Sequence, residues 1–298
     1  MNQKNPLIYR FSQFISLLLG ARFFVLIFYV FALYVSTFFF FNQEESLKEF
    51  VFDIKVHGII FCAVLSIAAG GIINQFYDVE KDKVEKPFRS QLQSFLKQKY
   101  FLYTYLILNT ISLSIAGLLS WRIFVFFLIY QFVMWFYSHK ITKIAIINNL
   151  TYVALTLYPF YGMLVYYQHF SLKLFWMAAF LFLALWIIDI MKDILTMRSD
   201  KLFGYDTIPL RFGIYTTTVF LTSLLVIAAA VACIIVKIVP IINFVVIYFS
   251  LSALVMVLSL IPVINFRIRR IFWLMGLLRV WLFIGVLFLL LNGIYEKI

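Results

Sequence analysis

The chain has 298 residues, of which 64% are hydrophobic and 13% charged, and its formal net charge is +12. The apolar residues run in long blocks instead of the alternating patterns of a soluble core, which excludes a soluble fold and marks a membrane protein. The basic residues sit in short segments between the blocks, where membrane topology puts them, so the positive charge does not indicate a nucleic-acid partner.

Segment Pro6 to Leu19 carries apolar residues at helical spacing with Arg10 and Gln13 interspersed, a pattern suited to lying on a membrane surface. No cleavable leader is expected, because the first apolar block is too long and no small-residue cleavage site follows it. A span needs roughly 20 apolar residues. About nine candidate blocks follow, the fourth of them short and the turn between third and fourth tight: Phe23 to Phe41, His57 to Tyr77, Phe101 to Trp121, Ile123 to Tyr137, Ala145 to Tyr167, Leu174 to Met191, Thr216 to Val236, Ile241 to Ile264 and Ile271 to Ile294. Backbone groups in lipid must be satisfied within the segment, so each is a helix. The expected fold is all-α, a polytopic membrane helix bundle of about nine spans, read as a single domain over residues 1–298 with its active site at the cytoplasmic face.

Placing the N-terminus inside puts most of the lysines and arginines on the cytoplasmic side and leaves Lys48, Lys55, Arg122, Lys173, Lys237 and Lys297 outside. That bias predicts N-in and C-out in a bacterial inner membrane. Cys62 and Cys233 lie in apolar blocks without metal-ligand spacing and read as packing residues. Arg279, within the ninth span, is expected to meet an acid or a cavity. Two inner loops, 78–100 after the second span and 192–215 after the sixth, stand out by length and polarity, and both open with acids at the end of a span. They follow spans four apart, which hints at an internal duplication.

The second span runs into Asn74, Asp78 and Asp82, each four residues apart, so their oxygens share one helical face at about 6 Å intervals. Such a ladder suits Mg2+, a hard cation that binds carboxylates and completes its shell with substrate phosphates. Glu80 points off that face and reads as a solvated charge. The sixth span runs into a second stripe, Asp189, Asp193, Thr196 and Asp200, spaced i, i+4, i+7 and i+11. Two ladders on two helices can hold metal against one diphosphate, and a carboxylate as deep as Asp189 is costly without a role.

These residues resemble the UbiA superfamily of intramembrane prenyltransferases. Asn74, Asp78 and Asp82, followed by Lys86-Pro87-Phe88-Arg89, look like its first aspartate-rich motif. Asp193 and Asp200, then Gly204, Thr207, Pro209 and Gly213, resemble the second motif and its tail. Tyr137-Ser138 with Lys140, Lys143 and Asn149 looks like the inner loop after the fourth span. The resemblance departs at Thr196, where the family has another aspartate, and Asp193 stands one turn earlier as a substitute.

The resemblance implies Mg2+-dependent transfer of a prenyl group from an isoprenoid diphosphate to a lipophilic acceptor within the lipid bilayer. It further implies metal ligands at Asn74, Asp78, Asp82, Asp189, Asp193 and Asp200, with Asp78, Asp82, Asp193 and Asp200 catalytic. Lys86, Arg89, Tyr137, Ser138, Lys140 and Lys143 would bind the diphosphate. The acceptor stays open between a quinone precursor, a glycerol phosphate lipid and a porphyrin-type ring. The Lys192-Asp193 pair leans toward the geranylgeranylglyceryl phosphate branch, and with His57, His139 and His169 alone no histidine motif of the haem-modifying branch is present. The competing readings are a catalytically degenerate family member that binds prenyl lipid, and a secondary transporter, whose acids would sit nearer mid-membrane.

Overall fold

A chain this apolar satisfies its backbone by coiling locally, and the computed structural model, which describes residues 6–42, 46–239 and 243–297, contains no strand among them. In order the helices are α1 (Pro6–Gly20), α2 (Phe23–Ser36, continued by a π-turn, Thr37–Phe41), α3 (Leu47–Phe52), α4 (Ile54–Glu85), α5 (Pro87–Gln93), α6 (Gln98–Leu119), α7 (Trp121–His139), α8 (Ile147–Tyr167), α9 (Leu172–Leu202), α10 (Ile208–Ile238), α11 (Phe244–Leu258), α12 (Leu260–Ile264) and α13 (Ile268–Lys297). The all-α, polytopic expectation is met. Eight helical segments among the described residues are long and apolar enough to cross a membrane.

The expected fifth span forms as α8 but is not one of those eight; Asn148, Asn149, Thr151 and Thr156 dilute its apolar character, and Pro159 sits inside it. The tight third-to-fourth turn is Ser120 alone, whose hydroxyl caps α7 by accepting from the Arg122 N–H. Ile241, the expected start of the eighth span, lies outside the described residues, as do Lys4, Glu44 and Glu45. The polar segments 78–100 and 192–215 are largely helical rather than loops. α4 continues to Glu85 and α9 to Leu202, and the i,i+4 pairs Lys81–Glu85 and Lys86–Asp82 support the end of α4.

The chain divides into two compact units, one of residues 1–34 and 45–142, the other of residues 35–44 and 143–298. In the first, α4 packs on α6 and α7 through buried Ile59, Ile60, Ile72, Phe127 and Tyr130. Lipid tails are as apolar as side chains, so packing and interhelical hydrogen bonds hold such helices together. Here Gln131 donates to Ser66 at 3.0 Å, Ser66 and Ser112 lie 3.1 Å apart, and the Cys62 thiol reaches the Ser112 carbonyl at 3.3 Å. In the second unit, α9, α10, α11 and α13 share one core that includes Ile187, Ile190, Met191, Leu221, Leu225 and Ile271. That core fixes the rotation of α9 and so the direction of its acidic stripe.

Large apolar side chains face outward in numbers a soluble protein would not tolerate, Leu118 at 88% exposure among them. Cys62 is buried as a packing residue, whereas Cys233 is exposed. Arg279 is also exposed on α13 and makes no ion pair among the described residues; its long stem carries the charge outward instead of toward an acid.

Candidate functional site: two acidic ladders

The first ladder occupies the last three turns of α4. Asn74 donates its amide to Asp78 Oδ2 at 2.9 Å, and Lys86 donates to Asp82 Oδ1 at 2.9 Å. Asn74 and Asp78 are half-buried. Glu80 is exposed and paired with exposed Lys83 at 2.6 Å, the solvated pair its off-face position predicts. Lys86 ends α4 in a non-helical conformation, as the residue before a proline must, and Pro87 starts α5 where its missing N–H costs nothing.

The short α5 folds back so that Gln93 donates to Gln75 at 2.8 Å, and Asp82 borders a cavity of about 120 Å³ walled in part by Gln75, Ser90 and Gln93. Arg89 turns to α1 and donates to the Leu19 carbonyl at 2.7 Å, where a cation complements a helix C-terminus. Burial and the neighbouring Arg22 charge lower its pKa, while Asp82 opposes them, and a guanidinium stays charged regardless. Of the other expected diphosphate ligands in this unit, Tyr137 is half-buried and Lys140 exposed. Ser138 is buried, with its hydroxyl bonded to the Met134 carbonyl at 3.2 Å.

The second ladder is built differently. Asp189, Asp193 and Asp200 are 1%, 2% and 1% exposed. The Asn149 amide donates to Asp189 Oδ2 and to Asp193 Oδ2, both at 2.7 Å, and so clamps two carboxylates that would otherwise repel. Lys192 pairs with Asp189 Oδ1 and lies 3.3 Å from Asp193 Oδ1. The ammonium also sits 5.4 Å from the Tyr152 ring centre. One ammonium for two buried carboxylates leaves surplus negative charge in a low-dielectric setting, and that surplus draws cations.

Thr196, at the position where an aspartate was expected, donates to Asp200 Oδ2 at 2.7 Å and so orients that carboxylate. Just beyond Asp200, Gly204 takes a φ of +70°, which closes α9 with the Tyr205 N–H on the Asp200 carbonyl at 2.9 Å. Lys143 is exposed, sits 5.5 Å from the Tyr205 ring centre, and its carbonyl accepts from the Asp206 N–H, which ties it to the tail of this ladder.

Asn149 is the residue that spacing alone did not place in the site. It lies on α8, 40 residues before Asp189. The signal was an Asn148-Asn149 pair at the start of an apolar span, directly after a basic segment. Its placement depends on a tight turn: Ile146 has φ 69° and ψ −53°, with the Ile147 N–H on the Ala145 carbonyl at 2.8 Å. For a β-branched residue that conformation costs about 1–3 kcal/mol.

Among the described residues no three His, Cys, Asp or Glu side chains come together as a metal cage. The donors are nonetheless hard oxygens with surplus negative charge, which fits Mg2+, a cation that uses one or two carboxylates and leaves the rest of its shell to phosphates and water.

Eight helical segments long and apolar enough to cross a membrane define a class, an integral membrane protein, and its two acidic ladders carry oxygen donors of the kind a divalent cation takes. The chain belongs to the UbiA prenyltransferase family, whose model matches residues 46–292. It is 30% identical over 167 residues to digeranylgeranylglyceryl phosphate synthase of Pyrococcus furiosus; the match covers 54% of this chain, and the chain spans 58% of that relative's length. A solved structure concerned with digeranylgeranylglyceryl phosphate synthase in membranes superposes with a TM-score of 0.72 at 19% identity, covering 95% of this chain and 99% of the other. A UbiA homolog from Archaeoglobus fulgidus bound to GPP and Mg2+ gives 0.66 at 15% identity, covering 92% and 99%.

Proposed function

We propose that the chain is a Mg2+-dependent prenyltransferase that moves a prenyl group from its diphosphate to a glycerol phosphate-type lipid acceptor. Its working unit is then one domain spanning both compact halves, as the extent of the family match supports. The observation that carries this reading is the buried Asp189–Asn149–Asp193 clamp with its surplus negative charge. Acceptor class rests on relatives named digeranylgeranylglyceryl phosphate synthase, and donor class on the Archaeoglobus fulgidus homolog bound to GPP and Mg2+.

In this reading Asn74, Asp78 and Asp82 are the metal ligands of the first unit, and Asp189, Asp193 and Asp200 those of the second. Bound there, Mg2+ would neutralise the diphosphate as the allylic carbon–oxygen bond loosens. Lys86, Lys140 and Lys143 add positive charge toward the leaving group, and Tyr137 and Ser138 line its approach. Arg89 acts by holding α5 against α1, which places Lys86. Asn149 ties the two carboxylates together, and Lys192 supplies the cation that the pair needs when no metal is bound. Basic-residue bias supports an N-terminus in the cytoplasm, a C-terminus outside, and ladders on the cytoplasmic side of a bacterial inner membrane.

The degenerate reading loses its main support at Thr196, which orients Asp200 instead of leaving a gap. A transporter is disfavoured because the acids lie where the apolar runs of continuous helices α4 and α9 give way to charge, and not at broken helices in mid-membrane. The test is a product assay with purified protein, a panel of prenyl diphosphates and three acceptor classes, in Mg2+ or EDTA. Mg2+-dependent prenylation of geranylgeranylglyceryl phosphate is expected. Turnover only with an aromatic quinone precursor would overturn the acceptor assignment, and no turnover with any pair would overturn the enzyme.

A further inference from the structure

Both ladders lie toward helix C-termini, and the opposite end of α9 takes no part in them. Lys173, in its first turn, precedes Asp189 by 16 residues, about 24 Å along the axis and close to the thickness of the hydrocarbon core. It therefore stands at the other membrane interface. There a cavity of about 60 Å³ is walled by Phe39, Phe40, His169, Ser171, Lys173 and Asn292, among others.

Three features of that cavity select a ligand. Asn292 is 4% exposed, and its Oδ1 has no hydrogen-bond partner among the described residues, so the cavity wall carries a buried acceptor without a donor. Lys173 lies 5.6 Å from the Phe40 ring centre and makes no ion pair among the described residues. The Ser171 hydroxyl takes the Leu174 N–H at 3.2 Å, and by helix geometry the N–H groups of Leu172 and Lys173 have no acceptor within α9. An ammonium and a helix N-terminus together favour an anion. Gly293 keeps the walls close: a Cβ there would stand 1.9 Å from the Phe39 ring, so any side chain would push the π-turn away.

We infer that this cavity binds the headgroup of an anionic phospholipid whose alcohol carries a free hydroxyl, with the phosphodiester on Lys173 and the α9 N-terminus and the hydroxyl donating to Asn292 Oδ1. The hydroxyl answers the buried acceptor, which a bare phosphate cannot do. A second ammonium, as in an ethanolamine headgroup, would set like charge beside Lys173. A lipid is favoured over a soluble phosphate ester because the cavity lies at the ends of three apolar spans, Phe23–Phe41, Leu172–Leu202 and Ile268–Tyr295, with Leu174 and Leu289 continuing its wall toward acyl chains. This site is independent of prenyl transfer.

The experiment is native mass spectrometry of the full-length protein in detergent with chain-matched phosphatidylglycerol, phosphatidylethanolamine and phosphatidylcholine. Phosphatidylglycerol is expected to be retained preferentially. Lys173→Gln and Asn292→Leu should each lower its retention about tenfold, while Lys173→Arg keeps most of it. Lys237→Gln removes another lysine from the same expected membrane side and should change nothing. Millimolar inorganic phosphate or glycerol 3-phosphate should not displace the lipid. Equal retention of the three lipids, unchanged retention in a folded Lys173→Gln variant, or displacement by inorganic phosphate would each overturn the assignment. Rescue by arginine separates lost recognition from lost folding.

Discussion

Asp78 and Asp189 each stand where an apolar run gives way to charge, and each begins a ladder of acids on one helical face, yet their surroundings differ. Asp78 is half-buried and takes its hydrogen bond from Asn74, one turn back on its own helix. Asp189 is fully buried and shares with Asp193 an amide delivered by another helix. The half-buried Asn74–Asp78 pair lies on one helix and has room to adjust, whereas the Asp189–Asn149–Asp193 set is buried and held between two helices. A preorganised set of charges stabilises a developing charge without reorganising at the moment of reaction, so the second ladder should be the less forgiving of the two.

The largest effect should come from removing a carboxylate of the fixed set. Asp193→Ala is expected to lower the initial rate of prenyl transfer by about 10³-fold with the helical circular dichroism intact. Asp78→Ala, in the adjustable ladder, should cost about tenfold less than that. Asn149→Ala leaves every carboxylate in place but removes the clamp. It should lower the rate about 10–100-fold and raise the Mg2+ concentration needed for half-maximal activity, a shift that a merely structural role would not give.

Smaller effects sharpen the contrast. Lys192→Met strands two carboxylates without their cation, so its melting temperature in EDTA should fall by about 3 °C and recover with Mg2+ further than that of the wild type. Thr196→Val removes the hydrogen bond that orients Asp200 and should lower the rate about fivefold; restoration of activity from nothing by Thr196→Asp would instead support a degenerate second ladder. At the bottom of the scale, Glu80→Gln disrupts an exposed pair with Lys83 and should leave rate and stability within twofold of wild type.

The contrast also sets what was legible in the sequence. Asn74, Asp78 and Asp82 are contiguous at helical spacing, so both their shared face and the off-face position of Glu80 could be read directly. The stripe 189, 193, 196 and 200 was legible for the same reason. The resemblance placed Asn149 in the inner loop, but its bonds to Asp189 and Asp193 were not legible, because those links cross 40 residues or more and depend on how α8 packs against α9. Arg89 shows the same limit: its place after Lys86 and Pro87 did not disclose that one of its guanidinium N–H groups donates to the Leu19 carbonyl. Apolar blocks located the spans, yet they stopped short of the true helix ends. Hydropathy falls where Asp78 to Glu85 and Lys192 to Leu202 begin, while backbone hydrogen bonding and i,i+4 pairs continue.

The most direct test is diphosphate release from a prenyl diphosphate and its acceptor, followed against Mg2+ concentration in the wild type and in Asn149→Ala side by side. The account predicts Mg2+-dependent turnover in both, with the variant slower and its Mg2+ curve displaced to higher concentration. Coincident curves of equal height would contradict the claim that the Asn149 clamp preorganises the second ladder.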